Sequence, residues 1–82
     1  MEDHHVVSIV AALTELQQDT TVPKNIKERL GRTITALQQS CEISLRVDKA
    51  LQELDELSEE SNLQTYTRMQ IWSIVSMLEK NV

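Results

Sequence analysis

Apolar residues recur in four successive stretches of the chain at steps of three and four residues, which is the spacing of amphipathic helices. The first three stretches predict helices over about residues 4–18, 23–39 and 44–59, and the final stretch predicts a fourth. We expect the buried stripes of the first three helices to be Val6, Ile9, Leu13 and Leu16; Ile26, Leu30, Ile34 and Leu37; and Val47, Ala50, Leu51, Leu54 and Leu57.

The final stretch has the widest apolar face of the four, so we expect the fourth helix to be the most buried. Its predicted stripe is Tyr66, Met69, Trp72, Val75 and Leu78, with Ile71 and Ile74 beside it. This spacing predicts a Trp72 buried against aliphatic residues of the first and third helices. The alternative is an exposed Trp72 that anchors a partner, since Trp is common at interface hot spots.

The breaks between the stretches carry few but informative residues. Asp3 suits the N-cap of the first helix, and Pro23 suits the first turn of the second. Gly31 lies inside the second helix, where it either weakens the helix by about 1 kcal/mol relative to Ala or marks close packing against a neighbour.

The chain also resembles itself after a shift of 41 residues. That shift pairs Val6 with Val47 and Leu13 with Leu54, and it makes the breaks at 19–22 and 60–63 equivalent. The pattern predicts two similar αα-hairpins related by an approximate twofold axis. We therefore expect an all-α, up-and-down four-helix bundle that forms one domain over residues 1–82.

Composition excludes several classes of function. A net charge of −5 repels phosphate backbones, and the near absence of aromatic residues removes any row of rings for stacking bases. Uncharged stretches such as 6–14 and 69–78 reach only about half of the ~20 residues of a membrane span. A single cysteine, Cys41, and the acidic start Met1-Glu2-Asp3 favour a cytoplasmic protein over a secreted one.

Two segments resemble a known family: DTTVPKNIK at residues 19–27 and LDELSEESN at 54–62. The last segment agrees through Arg68, Ile71, Trp72, Ser76, Leu78 and Glu79. On these residues the chain is similar to the archaeal uncharacterised protein family 0147, of small all-helical proteins. The resemblance implies an archaeal source, a four-helix bundle grouped with bromodomain-like folds, and no assigned activity. Ser44 and Gln64 stand where that family carries prolines.

The sequence offers no catalytic, cofactor-binding or metal-binding residues. His4 and His5 are adjacent, so they point about 100° apart on a helix and cannot chelate one ion; we expect both to be solvated. Cys41 has no histidine near it in sequence, so it is expected to be a free thiol near a helix junction.

Two charged groups remain as candidate surfaces. Half of the basic residues lie on the second helix, at Lys24, Lys27, Arg29 and Arg32, and form a broad, mild patch. An acidic run closes the third helix at Glu53, Asp55, Glu56, Glu59 and Glu60. Each is interpreted first as a solvated face. The alternative for the basic patch is a contact with nucleic acid, and the alternative for the acidic run is a contact with a cation or a basic partner.

The start of the second helix combines several features of a binding site. The residues that can contact an anion or a partner there are Thr20, Thr21, Lys24, Asn25 and Lys27. Two other interpretations stand beside anion binding. Thr20 and Thr21 can merely cap the helix. Lys24 and Lys27 can form an exposed charge network with Glu56, Glu59 and Glu60, because both ends lie together in an up-and-down bundle.

From the residues alone, the leading function is a non-catalytic protein-interaction or structural module, with a homodimer as one form of it. A nucleic-acid or ribonucleoprotein accessory factor that binds through the second helix is the first alternative. A small-anion binder at the start of that helix is the second. The sequence contains no group of residues with the spacing of a known catalytic motif, so nothing in it indicates an enzyme.

Overall fold

The computed structural model describes residues 4–80 and folds them into four α-helices. They are α1 (His4–Gln17), α2 (Lys24–Leu37), α3 (Ile43–Leu57) and α4 (Thr65–Glu79), and no strand occurs within the described range. The expected boundaries differ by one or two residues at most ends, which is the ordinary fraying of helix termini. Asp3, the expected N-cap of α1, lies outside the described residues.

The helices form an up-and-down ring in which each packs on its neighbours in sequence and α4 closes against α1. The predicted all-α four-helix bundle is therefore confirmed. The four seams of the ring are unequal, because α2 packs extensively on α3 and on α1, whereas α4 packs less extensively on both of its neighbours. The two seams beside α4 are therefore the more open ones, and each leaves room for a groove.

The aliphatic core follows the predicted stripes in the first three helices. All four expected residues of α1 are buried, as are most of those in α2 and α3. Ile34 and Leu51 are only half-buried, and Thr33 is buried on α2 instead. The Thr33 hydroxyl donates to the Arg29 carbonyl oxygen (3.1 Å), which satisfies a polar group that the core would otherwise isolate.

The prediction for α4 was wrong for Tyr66, Met69 and Trp72, whereas Ile71, Ile74 and Leu78 are buried as expected. Its buried residues are Thr67, Ile71, Ile74 and Leu78, whereas Trp72 is 57% exposed. Helix α4 has four buried residues and α2 has five, so α4 is not the most buried helix. The core stripe advances by steps of four, three and four, which keeps it on one side of a 3.6-residue helix.

The internal repeat is borne out by burial. Nine buried positions in the first half of the chain correspond, 41 residues later, to nine buried positions in the second. The first set is Val6, Ile9, Leu13, Leu16, Val22, Ile26, Leu30, Thr33 and Leu37; the second is Val47, Ala50, Leu54, Leu57, Leu63, Thr67, Ile71, Ile74 and Leu78. The superposition of the two hairpins about a twofold axis stays a prediction.

Backbone hydrogen bonds show the same correspondence in the two turns. Val22 N–H donates to Asp19 O (3.1 Å), and at the equivalent positions Leu63 N–H donates to Glu60 O (3.4 Å). Pro23 and Gln64, also equivalent, are the N-caps of α2 and α4 and share an extended backbone, with φ and ψ of −61° and 155° against −70° and 150°. The two turns are therefore structural equivalents, as the sequence predicted.

Side chains from neighbouring helices hold the carbonyl ends of α2 and α3. Arg46 donates to Leu37 O (3.0 Å), and Arg68 donates to Ser58 O (3.0 Å) and Glu60 O (3.1 Å). No basic residue stands in the last turn of α2 or α3, so these arginines supply the positive charge that the helix dipole favours there.

The expectation of two solvated histidines is wrong for His5. Its Nε2 lies 2.6 Å from the Met77 carbonyl oxygen, near the end of α4, and the residue is half-buried. The side chain of His4 lies outside the described part of the structure. His5 thus connects the first turn of α1 to the last turn of α4.

Gly31 marks close packing, the second of the two interpretations offered by the sequence. A Cβ atom at this position would lie 2.9 Å from Gln17 Nε2. The Gln17 amide uses that space to donate to the Lys27 carbonyl oxygen (3.1 Å). Glycine therefore lets the end of α1 bind the first turn of α2.

Candidate functional site

The turn before α2 is organised by the carboxylate of Asp19. Asp19 Oδ1 accepts hydrogen bonds from Thr21 N–H (2.9 Å) and Thr21 Oγ1 (2.7 Å). These bonds, the backbone one first, lower the pKa of Asp19 below its ordinary value of 3.8. Both donors of Thr21 are therefore occupied by an acidic side chain.

Capping by threonine, another of the three interpretations, was wrong. The N-cap of α2 is Pro23, and no side chain caps the helix. Thr20 is exposed, and Asn25 uses its Oδ1 to accept a hydrogen bond from Asn62 Nδ2 (3.1 Å). That bond confirms that the start of α2 and the segment after α3 lie at the same end of the bundle.

The predicted charge network of Lys24 and Lys27 with the acidic run was wrong, because Arg29 makes the ion pairs instead. Arg29, two residues beyond Lys27 on α2, pairs with Glu56 (3.2 Å) and Glu60 (3.5 Å). Lys24 and Lys27 form no ion pair with the acidic run among the residues that the structure describes. Arg29 is placed at the α2–α3 seam, where its side chain is only 25% exposed.

The basic patch of α2 carries its own counter-charges. Arg29 is paired, Lys27 lies near enough to Asp19 to help lower its pKa, and Arg32 lines a mixed-charge groove with Glu28 and Glu53. A phosphate backbone would have to compete with these carboxylates. The geometry therefore gives no support to nucleic-acid binding through this helix.

The exposed face of α4 is an uncharged ridge, which we define by Tyr66, Met69 and Trp72. These side chains are 67%, 62% and 57% exposed, and no charged residue stands between Arg68 and Glu79 on this helix. Ser73 and Ser76 lie on the same exposed face. In a chain that is 26% charged, this concentration of apolar area is typical of a surface that contacts another molecule.

A groove runs along each side of the ridge. The groove between α3 and α4 has a volume of about 370 Å³, and its apolar lining residues are Leu51, Trp72 and Val75. Asp55 and Glu79 also line it. The acidic run thus divides, with Asp55 facing this groove and Glu56 and Glu60 paired with Arg29.

The groove between α1 and α4 has a volume of about 320 Å³. Glu15 and Asp19 line it from α1 and the turn that follows, and Gln70 and Ser73 line it from α4. The Gln70 side chain donates to the Tyr66 hydroxyl (3.4 Å), which ties this groove to the ridge. Both grooves therefore place carboxylates beside the apolar ridge of α4.

The described residues contain no group of three or more His, Cys, Asp or Glu side chains that could hold a metal ion. Cys41 is exposed in the segment between α2 and α3, which agrees with the expected free thiol. Within residues 4–80, no helix has the length and apolar character needed to cross a membrane.

Fold and surface together define a small helical bundle with an apolar ridge between two acidic grooves. The chain belongs to the family described as Uncharacterised protein family (UPF0147), whose model matches residues 1–81. This confirms the family resemblance inferred from the sequence.

Relatives come from several archaea. A UPF0147 protein of Methanocaldococcus jannaschii is 41% identical over 73 residues, which are 88% of this chain and 78% of that protein. The crystal structure of a UPF0147 protein from Thermoplasma acidophilum matches with a TM-score of 0.90 and 30% identity, over 96% of this chain and 94% of that one. A crystal structure of the protein MMP1188, of unknown function, gives a TM-score of 0.87 and 41% identity over 92% and 86%.

The similarity establishes the fold and leaves the function open, because the family is uncharacterised. Sequence reasoning missed the ridge by placing Tyr66, Met69 and Trp72 in the core. The buried stripe of α4 was overlooked because its first residue, Thr67, is polar. The absence of charge from Met69 to Leu78 was visible in the sequence and was the signal that could have identified an exposed apolar face.

Proposed function

We propose that this protein is a non-catalytic module that binds another protein through the ridge of α4. The observation that carries the proposal is the exposure of Tyr66, Met69 and Trp72 on one uncharged face. Aromatic residues and Met are enriched at protein interfaces, whereas charged residues are depleted from interface centres. The whole chain, residues 1–82, acts as one domain in this proposal, and its exposed thiol suits a reducing cytoplasm.

The surroundings of the ridge support an interface with a polar rim. Carboxylates stand in both flanking grooves, with Asp55 and Glu79 on one side and Glu15 and Asp19 on the other. An apolar centre with a charged rim is the common anatomy of protein–protein contacts. A binding mode of this kind needs no catalytic group, and the protein acts by presenting a surface.

The test compares the companions of three tagged forms purified from the native host. One is the unmodified protein, the second carries Tyr66→Ser, Met69→Ser and Trp72→Ser, and the third is a matched control with Val7→Ser, Ile43→Ser and Leu45→Ser. The control residues are also exposed and apolar, at 53%, 37% and 58% exposure, but belong to α1 and α3. Circular dichroism verifies that each form remains helical.

We expect the ridge variant to lose a companion that the control retains. If both variants keep the same companions, or if both lose them equally, the ridge is not the binding surface and the proposal fails.

A further inference from the structure

The internal repeat pairs the groove between α1 and α4 with the seam between α2 and α3. A shift of 41 residues relates Glu15 to Glu56 and Asp19 to Glu60, and it relates Gln70 to Arg29. In both places two acidic residues, one helical turn apart in numbering, face a side chain from the second turn of the opposite helix. The chain therefore contains two versions of one arrangement.

In the α2–α3 seam the arrangement is complete. The Arg29 guanidinium donates to Glu56 Oε1 (3.2 Å) and lies 3.5 Å from Glu60 Oε2. One planar cation thus joins two carboxylates, which suits arginine because its donors are arranged as a rigid fork. The helices on either side are the most closely packed pair in the bundle.

In the α1–α4 groove the cation is missing from the equivalent position. Gln70 is neutral, and its Oε1 is buried without a hydrogen-bond partner. Glu15 and Asp19 form no ion pair among the residues that the structure describes, although the charge of Lys27 contributes slightly to the lowered pKa of Asp19. The carboxylates border a groove of about 320 Å³ where the other seam is filled.

We propose that this groove binds the guanidinium group of an arginine on the partner protein, in the manner of Arg29 within the chain. The proposal rests on the proposed function and names the chemistry of its partner. Two carboxylates and the Ser73 hydroxyl supply acceptors, which a five-donor guanidinium can use and a compact ammonium cannot match. Arginine is also a frequent anchor beside interface Trp and Tyr residues.

The first experiment supplies the cation within the chain through Gln70→Arg. Gln and Arg have similar helix propensities, so any gain reports the new ion pairs. We expect the melting temperature to rise by about 4 °C. The same substitution in a Glu15→Gln, Asp19→Asn background is the matched control, and there we expect no rise. The Asp19→Asn change keeps a side-chain oxygen for the two Thr21 bonds, so the turn before α2 is preserved in this control.

The second experiment titrates argininamide into the isotopically labelled protein and follows its amide resonances by NMR. We expect shifts localised to the groove, at Glu15, Asp19, Gln70 and Ser73, with at least about tenfold weaker binding of lysinamide. The shifts should disappear in the Gln70→Arg variant, whose own guanidinium fills the groove.

Three results would each overturn the arginine assignment. They are a melting temperature that does not respond to Gln70→Arg, an equal response in the control background, and argininamide shifts that are absent or matched by lysinamide. Loss of companions from the ridge variant together with any of these results leaves the proposed function standing without the arginine. If argininamide binds but the ridge variant keeps its companions, the groove binds arginine and the ridge is not the protein-binding surface.

Discussion

Replacement of Gly31 by Ala tests how the end of α1 is fixed to α2. In an undisturbed helix, Ala in place of Gly raises the free energy of unfolding by about 0.5–1 kcal/mol. Here the new Cβ would lie 2.9 Å from Gln17 Nε2, so the Gln17 amide has to move away. Its 3.1 Å hydrogen bond to Lys27 O is then lost, which costs about 1 kcal/mol.

The two effects are of similar size and opposite sign. We therefore expect Gly31→Ala alone to change the free energy of unfolding by less than about 0.5 kcal/mol. In a Gln17→Ala background the hydrogen bond is already absent and the space is open. There, Gly31→Ala should stabilise the protein by its full propensity, about 1 kcal/mol, which gives a coupling energy of about 1 kcal/mol.

Urea denaturation followed by circular dichroism measures the four proteins of this double-mutant cycle. For a domain of this size, 1 kcal/mol corresponds to a shift of roughly 0.5–1 M in the midpoint. Equal stabilisation by Gly31→Ala in both backgrounds would refute the close approach of Gln17. Destabilisation by several kcal/mol in both would show that the Cβ meets backbone instead of a flexible amide.

Four further outcomes follow from the contacts described above. Trp72→Ala should lower the free energy of unfolding by less than about 1 kcal/mol, and the intact protein should show red-shifted, readily quenched fluorescence, because Trp72 is exposed; a blue-shifted spectrum from the monomer would contradict this. Gln64→Pro should stabilise by about 0.4–1 kcal/mol in urea denaturation, since the backbone there already matches that of Pro23; a loss would show a strained junction. Arg68→Met should destabilise by about 2 kcal/mol, and Arg68→Lys should restore only part of it, because both carbonyl oxygens lose a donor; full recovery with Lys would mean that charge alone matters. Asp19→Asn should be less stable than the unmodified protein above pH 3.8, and thermal melts should show this difference vanishing as the pH falls through the lower folded pKa of Asp19; a difference that grows in acid would reverse the sign of the linkage.

The fold was predictable because most of the core follows simple periodicity. In α1 the buried residues advance by three, four and three positions, and all are aliphatic. The 41-residue repeat adds a second, independent signal, since the same spacing recurs in α3. Neither signal depends on contacts distant in sequence.

The error in α4 has a geometric cause. Tyr66, Met69, Trp72 and Val75 follow one another at uniform steps of three, and each such step rotates by 300° on a helix of 3.6 residues per turn. Three steps displace the stripe by about half a turn, so Tyr66 and Val75 lie on opposite sides. A row of equal steps of three thus winds around a helix and cannot form one buried face.

The arrangement of charges was less predictable than the core. The sequence indicates which ends of the helices meet, but it does not indicate which cation reaches which carboxylate. Arg29 pairs with Glu56 and Glu60 because it lies at the α2–α3 seam, whereas Lys24 is exposed at the tip of its helix. Side-chain reach across a seam depends on the spacing of the helices, which periodicity alone does not specify.

The contact between His5 and Met77 has a consequence for chain connectivity. It places the first turn of α1 beside the last turn of α4, at 2.6 Å between the ring nitrogen and the carbonyl oxygen. A short linker from the region after Met77 to the region before His5 can therefore close the chain, and a new opening at residues 38–42 then gives the order α3, α4, α1, α2. Because the two halves bury equivalent positions, such a circular permutant presents the same alternation of hairpins to the folding process. The two hairpins can therefore be joined in either order while the residues of the core stay the same.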